Sequence, residues 1–260
     1  MNNVTSLLLN MPFIDDRYQG TVDVSILKER ENSSFAVKVE GERIILKTFQ
    51  GSFFDKIQDA FNDKVSLLLN EFKDMQEIFG DSIARKNYAG GKPQTDEQVE
   101  KRIEFNARRA MEGNPFTGFA AIEKTTEKII GFVALGRGFQ NGDSQSALIL
   151  NPNYTGQKFG KEIALLTGCL AQVYALNEFE VGSTVGKIPV QRFTVTVKDH
   201  LVDQIGFIKK LGMERIRSLT AKEAYTDDPA SLYGIEACKL NDALAQYLDP
   251  DQFSWNMEVI

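Results

Sequence analysis

The sequence predicts one α/β (α+β) domain with extensions at both ends, and two observations carry that expectation. Short segments that alternate apolar and polar residues are interleaved with longer ones whose apolar residues recur at helical spacing. After an N-terminal hairpin their order is strand, helix, helix, three strands, helix, strand, helix, strand, strand. The second observation is bulk: 260 residues, 42% hydrophobic and 25% charged, suffice to bury a sizeable core and give no reason to expect disorder.

Residues 21–27 and 34–39 each alternate at period two around the turn signal 30–33, which predicts a β-hairpin. Residues 41–49 read as a strand, and Ile57, Phe61, Val65 and Leu68 place a helix from about Phe54. Residues 80–94, with Gly90, Gly91 and Pro93, read as a loop. Thr95 and Gln98 have capping-box spacing, so a second helix starts there and continues through Val99, Ile103, Ala107 and Ala110. Segments 117–123 and 128–135 form a hairpin across the polar turn 124–127. Residues 146–150 are a short strand stopped by Asn151-Pro152, and Gly160 opens a helix through Ile163, Leu166, Leu170 and Val173. The β-branched run 191–197 is a strand, followed by a helix over about 202–211, strands at 213–219 and 231–238, and a helix near 241–247. A tail with Phe253 and Trp255 closes the chain. There is no internal repeat.

Composition excludes several functions. Two cysteines, Cys169 and Cys238, and one histidine cannot build a disulfide framework or a zinc site, so no metal is expected. Both cysteines read as packed, Cys169 on a helix and Cys238 on a strand. A net charge of −6 argues against a nucleic-acid surface, and the arginines between 102 and 109 share their helix with Glu100, Glu104 and Glu112. No apolar run is long enough to span a bilayer, and residues 1–10 lack the basic start and apolar stretch of a secretory signal; no membrane partner and a cytoplasmic location are expected.

One segment is suited to holding a phosphate. The strand ending at Leu150 runs into a loop with Gly156 and Gly160 and then into a long helix, so backbone N–H groups and a helix N-terminus converge, with Lys158 and Lys161 nearby. Strand, glycine loop and helix in this order are common, and an ordinary helix start is the competing reading. Gly136-Arg-Gly138 imitates part of a dinucleotide fingerprint, but residues 139–143 open no helix and that reading is rejected.

From about Glu42 to Leu240 the sequence resembles the GNAT superfamily of N-acetyltransferases, and within it the ribosomal-protein alanine N-acetyltransferase branch. The resemblance is carried by Glu42-Arg-Ile-Ile-Leu-Lys47, by Phe119-Ala-Ala-Ile-Glu123 with Ile129-Ile-Gly-Phe-Val-Ala-Leu135, by Asn151-Pro-Asn-Tyr-Thr-Gly-Gln-Lys-Phe-Gly160, and by Lys209-Lys-Leu-Gly-Met213. It implies a mixed, mostly antiparallel sheet with two splayed parallel strands, flanked by helices. It further implies acetyl-CoA, or another acyl-CoA, as cofactor. Ile149, Leu150, Asn151, Thr155, Gly156, Gln157, Lys158, Phe159, Gly160 and Lys161 are the residues implied to bind it. An amine, of a small molecule or a peptide, would attack the thioester directly; a domain that binds acyl-CoA or a protein partner without turnover is the alternative.

The sequence departs from the family pattern at identifiable places. Thr155 stands where the loop usually has Gln or Arg, and Lys158 where it has its first Gly. Leu201 and Gln204 occupy the family's Asn-x-x-Ser, and Ile208 its acidic tyrosine. His200, of the residue type best suited to proton transfer at neutral pH, is the candidate proton donor, against an exposed histidine at a strand end. Tyr88 is a candidate substrate contact, since Arg85, Lys86 and Tyr88 lie in the loop that borders the family's acceptor groove. The expected organisation is a hairpin extension over 1–40, the acyl-CoA-binding domain over 41–240, and a helix and tail over 241–260. The hairpin and the tail around Trp255 read either as a homodimer interface or as cover for the chain's own core.

Overall fold

The computed structural model describes residues 18, 20–28, 35–49, 67–88, 90–176, 190–248 and 250–259. Ten strands form one sheet in the order β10-β1-β2-β3-β4-β5-β6-β7-β9-β8. They are β1 Val22–Lys28, β2 Phe35–Glu40, β3 Ile44–Thr48, β4 Gly118–Glu123, β5 Lys128–Arg137, β6 Asp143–Leu150, β7 Arg192–Lys198, β8 Glu214–Leu219, β9 Ala230–Glu236 and β10 Phe253–Val259. Two pairs are parallel, β1 with β10 and β6 with β7; every other pair is antiparallel. The helices are α1 Leu67–Phe79, α2 Ser82–Arg85, α3 Asp96–Met111, α4 Phe159–Leu176, α5 Val202–Lys210, α6 Ala221–Ala224 and α7 Ala237–Ala245.

Period-two alternation gives the sheet an apolar layer on each face. On β4, Phe119 and Ala121 join the larger cluster with α4 and α7, whereas Ala120 and Ile122 join a second cluster with α1 and α3. On β5 the alternation changes phase. Ala121 pairs with Gly131 and Ile122 with Ile129, which leaves Ile130 as an extra residue, so Ile129 and Phe132 lie on one face although three positions apart. Phe132 is the centre of that second layer, with ring centroids 5.9 Å from Phe49 and 5.3 Å from Phe79.

Local chemistry sets the element ends. Thr95 Oγ1 accepts from the Gln98 N–H while Gln98 Oε1 accepts from the Thr95 N–H, the reciprocal cap expected there. Four expectations are corrected or extended. The loop at 80–94 contains α2, capped by Asp81, whose Oδ1 accepts from the Ala84 N–H at 2.7 Å. The strand expected over 231–238 stops at Glu236, so Cys238 lies in the first turn of α7 and is exposed, while Cys169 is fully buried in α4 and burial pushes its thiol up to about 12. The tail is no loose appendage, because β10 pairs along β1. The helix expected from Phe54 is seen only from Leu67; residues 50–66 lie outside the described residues, as does the turn 30–33. Among the described residues no helix is long and apolar enough to cross a membrane.

Glu71 on α1 is only 3% exposed, and burial pushes its carboxyl from the ordinary 4.5 up to about 7, against the opposing pull of Lys47. A raised folded-state pKa means that this group's stabilising contribution is complete below pH 4.5 and is lost as pH rises through about 7. Glu71→Gln should remove that loss, so urea midpoints of parent and variant should draw apart between pH 5 and pH 8. A constant difference across that range would contradict this assignment.

Candidate functional site

The site begins where β6 and β7 part. β6 stays paired with β5 from Ser144 to Leu150, and β7 with β9 from Arg192 to Lys198, yet the two pair with each other only from Asp143↔Arg192 to Ser146↔Val195. Their closed end is pinned by a forked ion pair, Arg192 Nε to Asp143 Oδ1 at 2.9 Å and Nη2 to Oδ2 at 3.1 Å. Gln145 Nε2 donates to Thr196 Oγ1 at 2.8 Å, and Thr194 Oγ1 donates to the Ser144 carbonyl at 3.1 Å. Beyond these contacts the strands diverge.

Parity decides which backbone groups face the gap. The Asn151 N–H donates to the Ile130 carbonyl and the Gly138 N–H to the Asp143 carbonyl, so odd-numbered β6 residues bond to β5 and even-numbered ones turn toward β7. Past Ser146, the N–H and C=O groups of Leu148 and Leu150 therefore line the gap, without a strand partner among the described residues. Ile149, expected at the cofactor, turns its backbone to β5 and buries its side chain in the second cluster. Leu148 was not anticipated, although the period-two rule applied from Asn151 backward would have identified it.

The loop after β6 is held by its own polar groups. Asn151 Oδ1 accepts from the Asn153 N–H at 3.0 Å, Thr155 Oγ1 donates to the Pro152 carbonyl, and Gln157 Nε2 donates to the Asn153 carbonyl at 3.0 Å. Gly156 takes φ +80° and Lys158 φ +68°. Lysine thus adopts the left-handed conformation that a glycine takes freely. The Lys158 carbonyl accepts from the Lys161 and Glu162 N–H groups and starts α4, while the N–H groups of residues 156–160 meet no acceptor among the described residues.

An external anchor fixes this loop. Glu162, 1% exposed, accepts through Oε1 from the Arg43 N–H at 2.8 Å and the Tyr18 hydroxyl at 3.1 Å, and through Oε2 from Arg43 Nε at 2.9 Å. The same guanidinium donates from Nη1 to the Gln157 carbonyl at 3.1 Å and stacks 4.4 Å from the centre of the Phe159 ring. The loop is therefore tied to the start of β3 by side chains more than a hundred residues away in sequence.

These residues fit a pyrophosphate. A Cβ added at Gly156 or Gly160 would meet nothing within 4 Å. At Gly160 neither a positive φ nor a close neighbour calls for glycine, and inside the first turn of a helix it costs about 1 kcal/mol relative to alanine. Open space above a backbone with unsatisfied donors, at a helix N-terminus, is what an approaching phosphate requires.

The second wall lies past the end of β7. Lys198 Nζ donates to the Lys86 carbonyl at 2.9 Å and to Asp228 Oδ2 at 2.8 Å, joining the segment after α2 to the connection between α6 and β9. That ammonium holds the Asp228 carboxyl below its usual range. A cavity of about 550 Å³ opens there, lined by residues 90–92 and 225–228 together with Lys86, Lys198, Ala221 and Lys222. Tyr88 is not among them. It is 8% exposed, packed edge-on against Phe79 at 5.8 Å, and its hydroxyl is pushed up by burial, so the expected substrate contact is a core residue. His200 stands exposed in the turn after β7, outside the cavity lining. Leu201 directly precedes α5 and makes no side-chain cap, Gln204 is exposed, and Ile208 is buried in the core.

Sheet order, the parted parallel pair and the glycine-bearing loop between β6 and α4 together define the GNAT fold of N-acetyltransferases. Solved structures with this fold include a GNAT-family acetyltransferase from Bacillus anthracis (15% identity over 77% of this chain and 98% of that one, TM-score 0.54). A GCN5-related N-acetyltransferase from Brucella melitensis is similar at 13% identity over 82% and 85%, TM-score 0.53. A chimeric spermidine N-acetyltransferase from Vibrio cholerae is similar at 11% over 66% and 93%, TM-score 0.50. No protein-family model matches the sequence. No curated protein matches it either.

Replacing Glu162 with alanine leaves the Arg43 guanidinium, two backbone N–H groups and the Tyr18 hydroxyl without their acceptor. Glu162→Ala should cost about 2–4 kcal/mol of folding stability. A loss below about 1 kcal/mol in chemical denaturation would show that the anchor carries little of the structure.

Proposed function

We propose that the chain is an N-acetyltransferase that moves the acetyl group of acetyl-CoA to an amine acceptor by direct attack. The observation that carries this reading is the parted strand pair opening beside a helix start whose N–H groups have no acceptor among the described residues. Acetyl-CoA, when bound, supplies an activated thioester. The chain's own residues do the remaining work. The N–H groups of residues 156–160, with the Lys158 ammonium, would hold the pyrophosphate. The backbone of Leu148 and Leu150 would pair with the amide-bearing arm as an added strand would. The amine enters from the cavity side, so both reactants meet in the gap and the gain is one of proximity. The C–N bond forms as the C–S bond breaks, the sulfur keeps the bonding pair, and the proton lost by nitrogen ends on sulfur. No covalent enzyme intermediate is required, in keeping with a buried Cys169 whose thiol is pushed up to about 12.

Calorimetry with acetyl-CoA and CoA, followed by thiol release across a panel of amines, tests this reading. The sequence resemblance to ribosomal-protein alanine N-acetyltransferases makes a peptide N-terminus one arm of that panel. Gly156→Ala forces a side chain onto φ +80° and should weaken acetyl-CoA binding by about tenfold or more with unchanged circular dichroism. No binding by the parent at high micromolar concentration would end the proposal. Binding without thiol release from any amine would leave a domain that holds acyl-CoA without turnover.

A further inference from the structure

The acceptor wall differs in charge from the rest of the chain. The cavity past β7 is lined by four lysines, Lys86, Lys92, Lys198 and Lys222, against two carboxylates, Asp227 and Asp228, a formal excess of two positive charges in a chain of net charge −6. Lys198 is engaged, bonded to Asp228 and to the Lys86 carbonyl. Lys86, Lys92 and Lys222 form no ion pair among the described residues, and all three are exposed. They come from two parts of the chain, two from the segment after α2 and one from α6, and all three line the same cavity. Tyr225, 74% exposed with its backbone at φ +54°, adds an aromatic ring to the same lining.

Three unpaired cations around a concave space repel one another and attract an anion. A polyamine entering here would set its second ammonium against them. An acceptor with a carboxylate or phosphate would be held by that group while its amine points on toward the gap between β6 and β7, and remote binding of this kind orients the reacting end. On the acetyl-transfer reading given above, we infer that the acceptor is an amine that also carries an anionic group, received by Lys86, Lys92 and Lys222. The charge of the whole chain would have suggested the opposite, a cationic acceptor.

Matched amines test the inference: O-phosphoethanolamine against ethanolamine, β-alanine against β-alaninamide, and spermidine as the polyamine, each read as acetyl-CoA-dependent thiol release. At least one anionic member should exceed its neutral partner in kcat/KM by about tenfold or more, and which one does so separates phosphate from carboxylate. The triple substitution K86E, K92E, K222E, at exposed positions outside the loop 151–160, should abolish or invert that preference with acetyl-CoA affinity unchanged. Equal use of neutral amines, better use of spermidine, or a preference unmoved by the charge reversal would each overturn it. Should no amine release thiol, the acetyl-transfer reading fails separately. Calorimetric titration of the full chain with O-phosphoethanolamine and β-alanine then decides. Binding lost in the triple variant sustains the anion-selective cavity, and absent binding refutes it.

Discussion

Strands β6 and β7 run side by side yet hold each other only at one end, and the site exists because of that geometry. Each is fully paired on its outer side, β6 with β5 and β7 with β9, so neither can swing to close the gap without breaking a complete antiparallel ladder. The Asp143–Arg192 fork fixes where they meet, with Asp143 almost fully buried and Gln140 also accepting from the same guanidinium. A parallel pair normally spreads evenly spaced hydrogen bonds along its whole length. Here four registered pairs at the N-terminal ends leave the C-terminal ends unpaired with each other among the described residues, and both the glycine loop and the lysine-lined cavity lie at that open end. Divergence of one strand pair thus brings two chemically different walls to one place.

The loop on the first wall departs from the residues of the superfamily that the sequence resembles, but its backbone leaves N–H donors facing open space. A left-handed non-glycine residue costs roughly 1–2 kcal/mol, and Lys158 carries that strain at the start of α4. Strain of this size persists only where surrounding contacts over-determine the conformation. Those contacts are present: Glu162 locks the first turn of α4 to Arg43, and Arg43 reaches across Phe159 to the Gln157 carbonyl directly before Lys158. In return the ammonium of Lys158 sits at a helix N-terminus, unfavourable for a cation unless an anion is bound beside it. That placement is another reason to read the loop as an anion site rather than an ordinary helix start.

Much of the fold was legible because it is written in local patterns. The capping box at Thr95, the hairpin at 117–135 and the break at Asn151-Pro152 each depend on residues within a few positions of one another. The loop over 151–160 was legible for the same reason. What escaped depends on contacts across the sequence or on a change of phase. The extra residue at Ile130 moves half of β5 to the other face, and nothing in an apolar run announces it. Tyr88 looked like a loop residue because its neighbours are glycine-rich and charged, but Phe79 at the end of α1 packs against its ring in the core. The cavity lysines come from three separate segments, so no window of sequence shows them as a group.

Proton handling follows from the residues that are absent from the cleft as much as from those present. Leu201 and Ile208 carry no proton to give, Gln204 is exposed on α5, and His200 lies outside the cavity lining. A positioned general acid contributes typically 10²–10⁴-fold, so acetyl transfer without one would give up part of the attainable rate. It would not lose the reaction, because a thiol has an ordinary pKa of about 8.5 and a departing thiolate can be protonated by water at neutral pH. The amine is the more demanding partner, since it must be neutral to attack. Lysines around an acceptor held there would help: nearby positive charge disfavours an ammonium and lowers the pKa of an amine beside it. The same charges that would select an anionic acceptor would therefore also favour its reactive form, and binding and activation would rest on one feature of the wall.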